Sequence, residues 1–194
     1  MKKLSKNIIT ALMFMAMVFT TSACRNSGNS NISSSTKPET SSIDKTGKRV
    51  YFAGPMFNQS EKDYNLKIAH ILEEYDYEVF LPQRDGVEGA MLEGKTEEEL
   101  IDIIFPLDVA HVDESDIVFM NLDGRVPDEG ACVELGMAYA KGKRCYGFMT
   151  DTRAVELSMT LNPMISGCMI KIFRDYDGEK MIQSIKDYLN SNTL

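Results

Sequence analysis

Residues 117–142 constrain the fold more than any other part of the chain. IVFMNL (117–122) is an apolar run of strand length, DGRVPDEG (123–130) is a glycine-bearing loop, and ACVELGMAYAKG (131–142) repeats its apolar residues at helical spacing. Open α/β sheets use this order of strand, loop and helix start to place a ligand beyond the carboxyl ends of their strands. Asp128 and Glu134 sit on either side of the helix entry. A carboxylate there can serve simply as a cap. Glu134 lies deeper, with Cys132, Val133 and Leu135 around it, where an unpaired charge is costly. The plainer alternative is an exposed Glu on the polar side of the helix.

The flanking sequence extends this unit into a sheet. Residues 49–53 read as a first strand, closed by Gly54 and Pro55. Tyr64, Ile68, Ile71, Leu72 and Tyr75 then mark one face of a helix, with Ser60 the expected N-cap. Residues 78–81 form a second strand, and 83–95 are glycine-bearing and mixed in charge, as expected of a flexible active-site loop. Thr96 and Glu99 make a capping-box pattern opening a helix that carries Leu100, Ile103, Ile104, Leu107 and Val112, with Asp108 among its apolar residues. Pro106 is expected to kink this helix or split it in two. A fourth strand at 144–149, a fifth at 168–173 and a final helix at 177–190 follow. Strands alternating with helices imply a five-stranded parallel sheet covered on both faces, a flavodoxin-like three-layer αβα domain.

The first 47 of the 194 residues do not belong to that domain. Lys2, Lys3 and Lys6, the apolar run 8–19 and the small residues Thr21, Ser22 and Ala23 before Cys24 have the three-part layout of a secretory signal. Small residues directly before a Cys resemble the lipobox of bacterial lipoproteins, although Thr21 stands where that motif usually has Leu; the alternative is a plain cleaved signal. The expected organisation is a signal peptide at 1–23, a lipidated Cys24 with a disordered tether to residue 47, and a catalytic domain at 48–194. The tether would reach on the order of 25 Å. This describes an exported protein held at the membrane by its lipid alone. Removing the three lysines of the signal takes the formal charge from −8 to −11, which disfavours nucleic-acid polymers as partners. Cys24, Cys132, Cys145 and Cys168 form no close pair with metal spacing, so neither a metal, a disulfide framework nor a cofactor is expected.

Parallel strands would bring Tyr51 and Gly54, the helix bearing Asp108, and the loop bearing Asp128 and Glu134 to one sheet edge. Three carboxylates without a His, Cys or metal signature point to glycosyl transfer, one attacking the anomeric carbon and another donating a proton to the leaving group. VYFAGPMF (50–57), Asp108, DEGACVELG (128–136) and LNPMI (161–165) together resemble the nucleoside 2-deoxyribosyltransferase family from residue 50 to about 171. The resemblance implies that Glu134 is the nucleophile forming a deoxyribosyl ester and that Tyr51 orients it. It also implies that Asp108 and Asp128 bind the base and manage its proton. Asn162 would reach a sugar hydroxyl from a neighbouring subunit of a homo-oligomer, and the substrates would be a 2-deoxynucleoside and a free nucleobase. Without the family, Tyr51 reads equally as a strand aromatic and Asn162 as a turn residue before Pro163. His70 and His111 are expected to face solvent. The PQRDG turn (82–86) matches no base-recognition segment, which leaves purine or pyrimidine preference open.

A sister group on the same fold hydrolyses deoxynucleoside 5′-monophosphates and tends to carry Ser where this chain has Asp128. A carboxylate about 4 Å from a phosphate costs on the order of 4 kcal/mol per charge at an effective dielectric of 20, so Asp128 favours unphosphorylated nucleosides. Hydrolysis of a deoxynucleoside or deoxynucleotide, and a tethered nucleoside-binding lipoprotein without turnover, are the alternatives.

Overall fold

A computed structural model describes residues 48–151, 153 and 159–194; the expected signal, Cys24 and the tether lie outside the described residues. The elements run β1 (Arg49–Ala53), α1 (Gln59–Glu74), β2 (Glu78–Phe80), α2 (Pro82–Asp85), α3 (Gly89–Leu92), α4 (Glu97–Glu114), β3 (Ile117–Asn121), α5 (Glu129–Ala140), β4 (Arg144–Met149), α6 (Pro163–Cys168), β5 (Lys171–Arg174) and α7 (Gly178–Ser191). All strand pairings are parallel, in the order β2-β1-β3-β4-β5. This is the flavodoxin-like order, whose topological switch falls between β1 and β3.

Strand periodicity divides the core. Val50, Phe52, Ile117, Phe119 and Phe148 pack with Ile68 and Leu72 of α1 and Met181 and Ile185 of α7. Tyr51, Ala53, Val118, Met120 and Cys145 point the other way, onto Val112 of α4 and Ala131, Leu135 and Ala138 of α5. Burial on both faces explains why the central strands are almost wholly apolar. Tyr51 therefore faces the layer that carries Asp108 and Glu134.

Four local expectations change. Asn58, not Ser60, caps α1: its side chain accepts from Glu61 N while Glu61 accepts from the Asn58 backbone, satisfying two free donors at once. The 83–95 region contains two short helices, α2 and α3, so it is not a plain loop. Of the two outcomes expected of Pro106, the split does not occur, and α4 is one element from Glu97 to Glu114. Pro106 and Asp102, whose carbonyl loses a partner to the proline, are both exposed, so water can satisfy that carbonyl. The fifth strand begins at Lys171, because Asn162 caps and Pro163 opens α6, which runs to Cys168. The Thr96–Glu99 capping box forms as expected.

The turn after β1 is held from beneath. A Cβ on Gly54 would lie 2.7 Å from Asn121 Cβ, so only glycine lets this turn pass the end of β3. Asn121 Nδ2 donates to Asn65 Oδ1 at 2.8 Å, and Asn65 Nδ2 donates to the Pro55 carbonyl at 2.8 Å. Both side chains are buried, and their pairing fixes the turn to α1 and β3.

Candidate active site

Tyr51 is fully buried in the middle of β1, and its hydroxyl donates to Glu134 Oε1 at 2.8 Å. Glu134 reaches that position from the second turn of α5. The helix is started by Asp128, whose Oδ2 accepts from Ala131 N at 2.8 Å. Asp128 is thus the cap that the sequence allowed, and it is also near enough for its charge to act on Glu134.

Asp108, from the middle of α4, completes the cluster. It lines, together with Glu134, a groove of about 470 Å³ between α4 and α5. The other walls include Leu100, Ile101, Ile104, Phe105, Val133 and Met137, and among the described residues no basic side chain lines the groove. The volume is in the range of small-molecule sites. Ile101, Phe105 and Val133 are exposed. The apolar face of α4 is therefore only partly spent on the core, and the rest lines the groove.

Burial raises the Glu134 pKa to about 7; the Tyr51 hydrogen bond opposes this, and the charges of Asp108 and Asp128 add to it. Asp108 is likewise raised by burial, against the lowering effects of His111 and of the Tyr51 hydroxyl. Burial and the carboxylates of Glu134 and Asp108 hold the Tyr51 phenol far above its ordinary value, so it remains a neutral donor. Two carboxyls with raised proton affinity beside a neutral donor can divide the work of nucleophile and acid.

The structure brings Tyr51, Asp108, Asp128 and Glu134 together. Gly54 shapes the adjoining turn through its approach to Asn121. Asn162 is not among the residues lining the groove: it is exposed, and its side chain accepts from Met164 N at 2.9 Å as the cap of α6. Cys24 lies outside the described residues. His70 is exposed as expected, but His111 is not free on the surface. Its ring lies on Phe80 with centroids 3.6 Å apart and planes 15° apart, and Phe80 in turn stacks on Tyr51 at 5.7 Å. The sequence carried only a faint signal for this contact, a His one turn after Asp108 on a helix packed against an aromatic strand.

Comparison with known proteins gives a consistent picture. The family description "Nucleoside 2-deoxyribosyltransferase" matches residues 50–188. A conserved protein from Enterococcus faecalis V583 has a similar structure, with a TM-score of 0.57 and 24% identity over 72% of this chain and 98% of its own. A 2-deoxyribosyltransferase from Bacillus psychrosaccharolyticus is similar with a TM-score of 0.55 and 25% identity, over 68% of this chain and 90% of its own. A CMP N-glycosidase from Clostridium botulinum is similar with a TM-score of 0.50 and 20% identity, over 73% of this chain and 99% of its own. No match is found among curated proteins.

Proposed function

The chain belongs to the nucleoside 2-deoxyribosyltransferase family, and from that premise we propose that it moves 2-deoxyribose between nucleobases through a covalent ester on Glu134. Membership makes it an enzyme acting on nucleosides, by glycosyl transfer or hydrolysis. The observation that carries the finer reading is the hydrogen bond from buried Tyr51 to Glu134. It holds one carboxylate oxygen and leaves the other to attack the anomeric carbon. Departure of the base then leaves deoxyribose on Glu134, and a second base attacks that carbon to release the carboxylate. Asp108, with its raised proton affinity, gives the leaving base its proton and recovers one from the incoming base. Asp128 Oδ2 is engaged as a cap, and its other oxygen serves to hold the base.

Among the described residues the groove is lined by acidic and apolar side chains with no basic partner for phosphate, which supports an unphosphorylated substrate. Incubation with deoxyinosine and free adenine, analysed for both deoxyadenosine and free deoxyribose, separates the readings. Deoxyadenosine supports transfer, deoxyribose alone indicates hydrolysis, and neither product contradicts both.

Two further parts of the proposal concern assembly and location. Asn162 would act in a neighbouring subunit's site within a homo-oligomer, and the exposed Ile101, Phe105 and Val133 beside the groove fit such a cover. Mixing inactive Asn162→Ala and Glu134→Gln chains should restore part of the activity if sites are shared between subunits. Residues 1–23 would direct export and Cys24 would carry the lipid anchor. Protein that stays in the membrane fraction after Cys24→Ala would contradict the anchor.

A further inference from the structure

We propose that His111 is a positioning residue for this reaction: laid flat on Phe80, it holds the Tyr51 phenol and, through it, the Glu134 carboxylate in reactive alignment. The inference rests on the reading of Glu134 as the nucleophile. Its basis is a continuous stack from α4 to the site. Phe80 is the register partner of Tyr51 in the β1–β2 ladder, and the two rings lie 5.7 Å apart. β2 is a three-residue edge strand paired on one side only, so the ladder alone holds Phe80 weakly. His111 supplies the missing support from outside, at 3.6 Å and nearly parallel. Loosening Phe80 frees the ring that keeps Tyr51 aimed at Glu134, where the hydroxyl now donates at 2.8 Å.

The placement couples the two ends of the mechanism. His111 is one helical turn beyond Asp108, so a single setting of α4 determines both the acid in the groove and the support behind the nucleophile's donor. The charged groups around His111 are Asp108 on its own helix, Asp85 and Arg84 on α2, and Arg49 and Glu78 across a cavity of about 230 Å³. Arg84 is paired with Asp85 and Glu73, and Arg49 with Glu78 and Glu114. His111 thus meets the site in two ways, through its flat face on Phe80 and through its electrostatic effect on Asp108. The proposal concerns the ring stack, and a neutral flat ring should keep the alignment of Tyr51 with Glu134.

The test compares His111→Leu, which keeps bulk but not a flat face, with His111→Phe, which keeps the face. Each is made in the full chain. Base exchange is followed as separate kcat and KM values, and the Glu134 carboxyl is titrated by 13C NMR. The expected result for His111→Leu is a fall in kcat of about ten- to a hundredfold, since small misplacements near a reacting group cost that much. KM should stay within about twofold of wild type, and the Glu134 midpoint should rise above about 7 as the Tyr51 hydrogen bond loosens. His111→Phe should restore both. Wild-type kcat and midpoint in the Leu variant, or a Phe variant as impaired as the Leu one, would overturn the proposal. If the Leu chain does not fold, the Phe variant decides, and a fall in its kcat or a shifted midpoint overturns it. A wild-type enzyme without turnover on any deoxynucleoside would defeat the functional reading on its own, while the midpoints would still decide whether His111 governs Glu134.

Discussion

The Tyr51 hydroxyl donates to Glu134 across 2.8 Å, joining residues 83 positions apart in sequence. The bond exists because β1 alternates its side chains between two layers and α5 starts directly beyond β3, its neighbour in the sheet. It places a neutral donor beside a partly buried carboxylate that burial would otherwise keep protonated more strongly. Orientation and proton affinity of the Glu134 carboxyl thus depend on the same contact.

Tyr51→Phe should reduce kcat by about a hundredfold, the usual cost of one lost donor at a reacting centre. It should also raise the Glu134 pKa, because the lost hydrogen bond is the influence that lowers it. In wild type, kcat/KM should climb with pH through about 7 as Glu134 loses its proton. A pH–rate profile checks both: the acid limb of Tyr51→Phe should lie at higher pH than that of wild type.

Much of this arrangement was legible in the sequence because it is encoded locally. The run 117–122, the Asp128 cap and the apolar pattern of α5 specify strand, turn and helix within a short stretch, and parallel pairing then determines which strand ends meet. Long-range packing was less legible. Asn58 with Glu61 is as clear a capping box as Thr96 with Glu99, but Ser60 lay closer to the apolar pattern. Of the apolar residues read on α4, Leu100 and Ile104 line the groove and Val112 enters the core, a division that periodicity alone does not show. The stack of His111 on Phe80 depends on the relation of α4 to an edge strand, which no local pattern records. Pro106 shows the limit of propensity, since an exposed carbonyl one turn earlier can turn to water without ending the helix.

Glu134→Gln should stabilise the protein at high pH. Burial raises the Glu134 pKa from 4.5 to about 7, so between these values the folded chain holds a proton that the unfolded chain has released. Stability therefore falls as pH rises through this window, by about 1–3 kcal/mol for a partly buried group. An amide does not titrate. Thermal melts at pH 8 should show a higher Tm for Glu134→Gln than for wild type, and melts near pH 4 should show the two nearly equal.

Asp108→Asn should slow transfer from ordinary nucleosides by about 10²- to 10⁴-fold, the usual gain from a general acid. Substrates whose base departs without protonation should be much less affected. Single-turnover rates across a series of leaving groups provide the check, and an equal loss for every substrate would assign Asp108 to binding instead.

The most direct measurement traps the intermediate. A fluorinated 2-deoxynucleoside analogue that forms the ester but hydrolyses slowly is incubated with the protein, and the modified peptide is located by mass spectrometry. The expected adduct lies on Glu134, is absent from Glu134→Gln, and is released by added nucleobase. An adduct on Asp108 or Asp128, or base exchange at the wild-type rate by Glu134→Gln, would contradict Glu134 as the nucleophile.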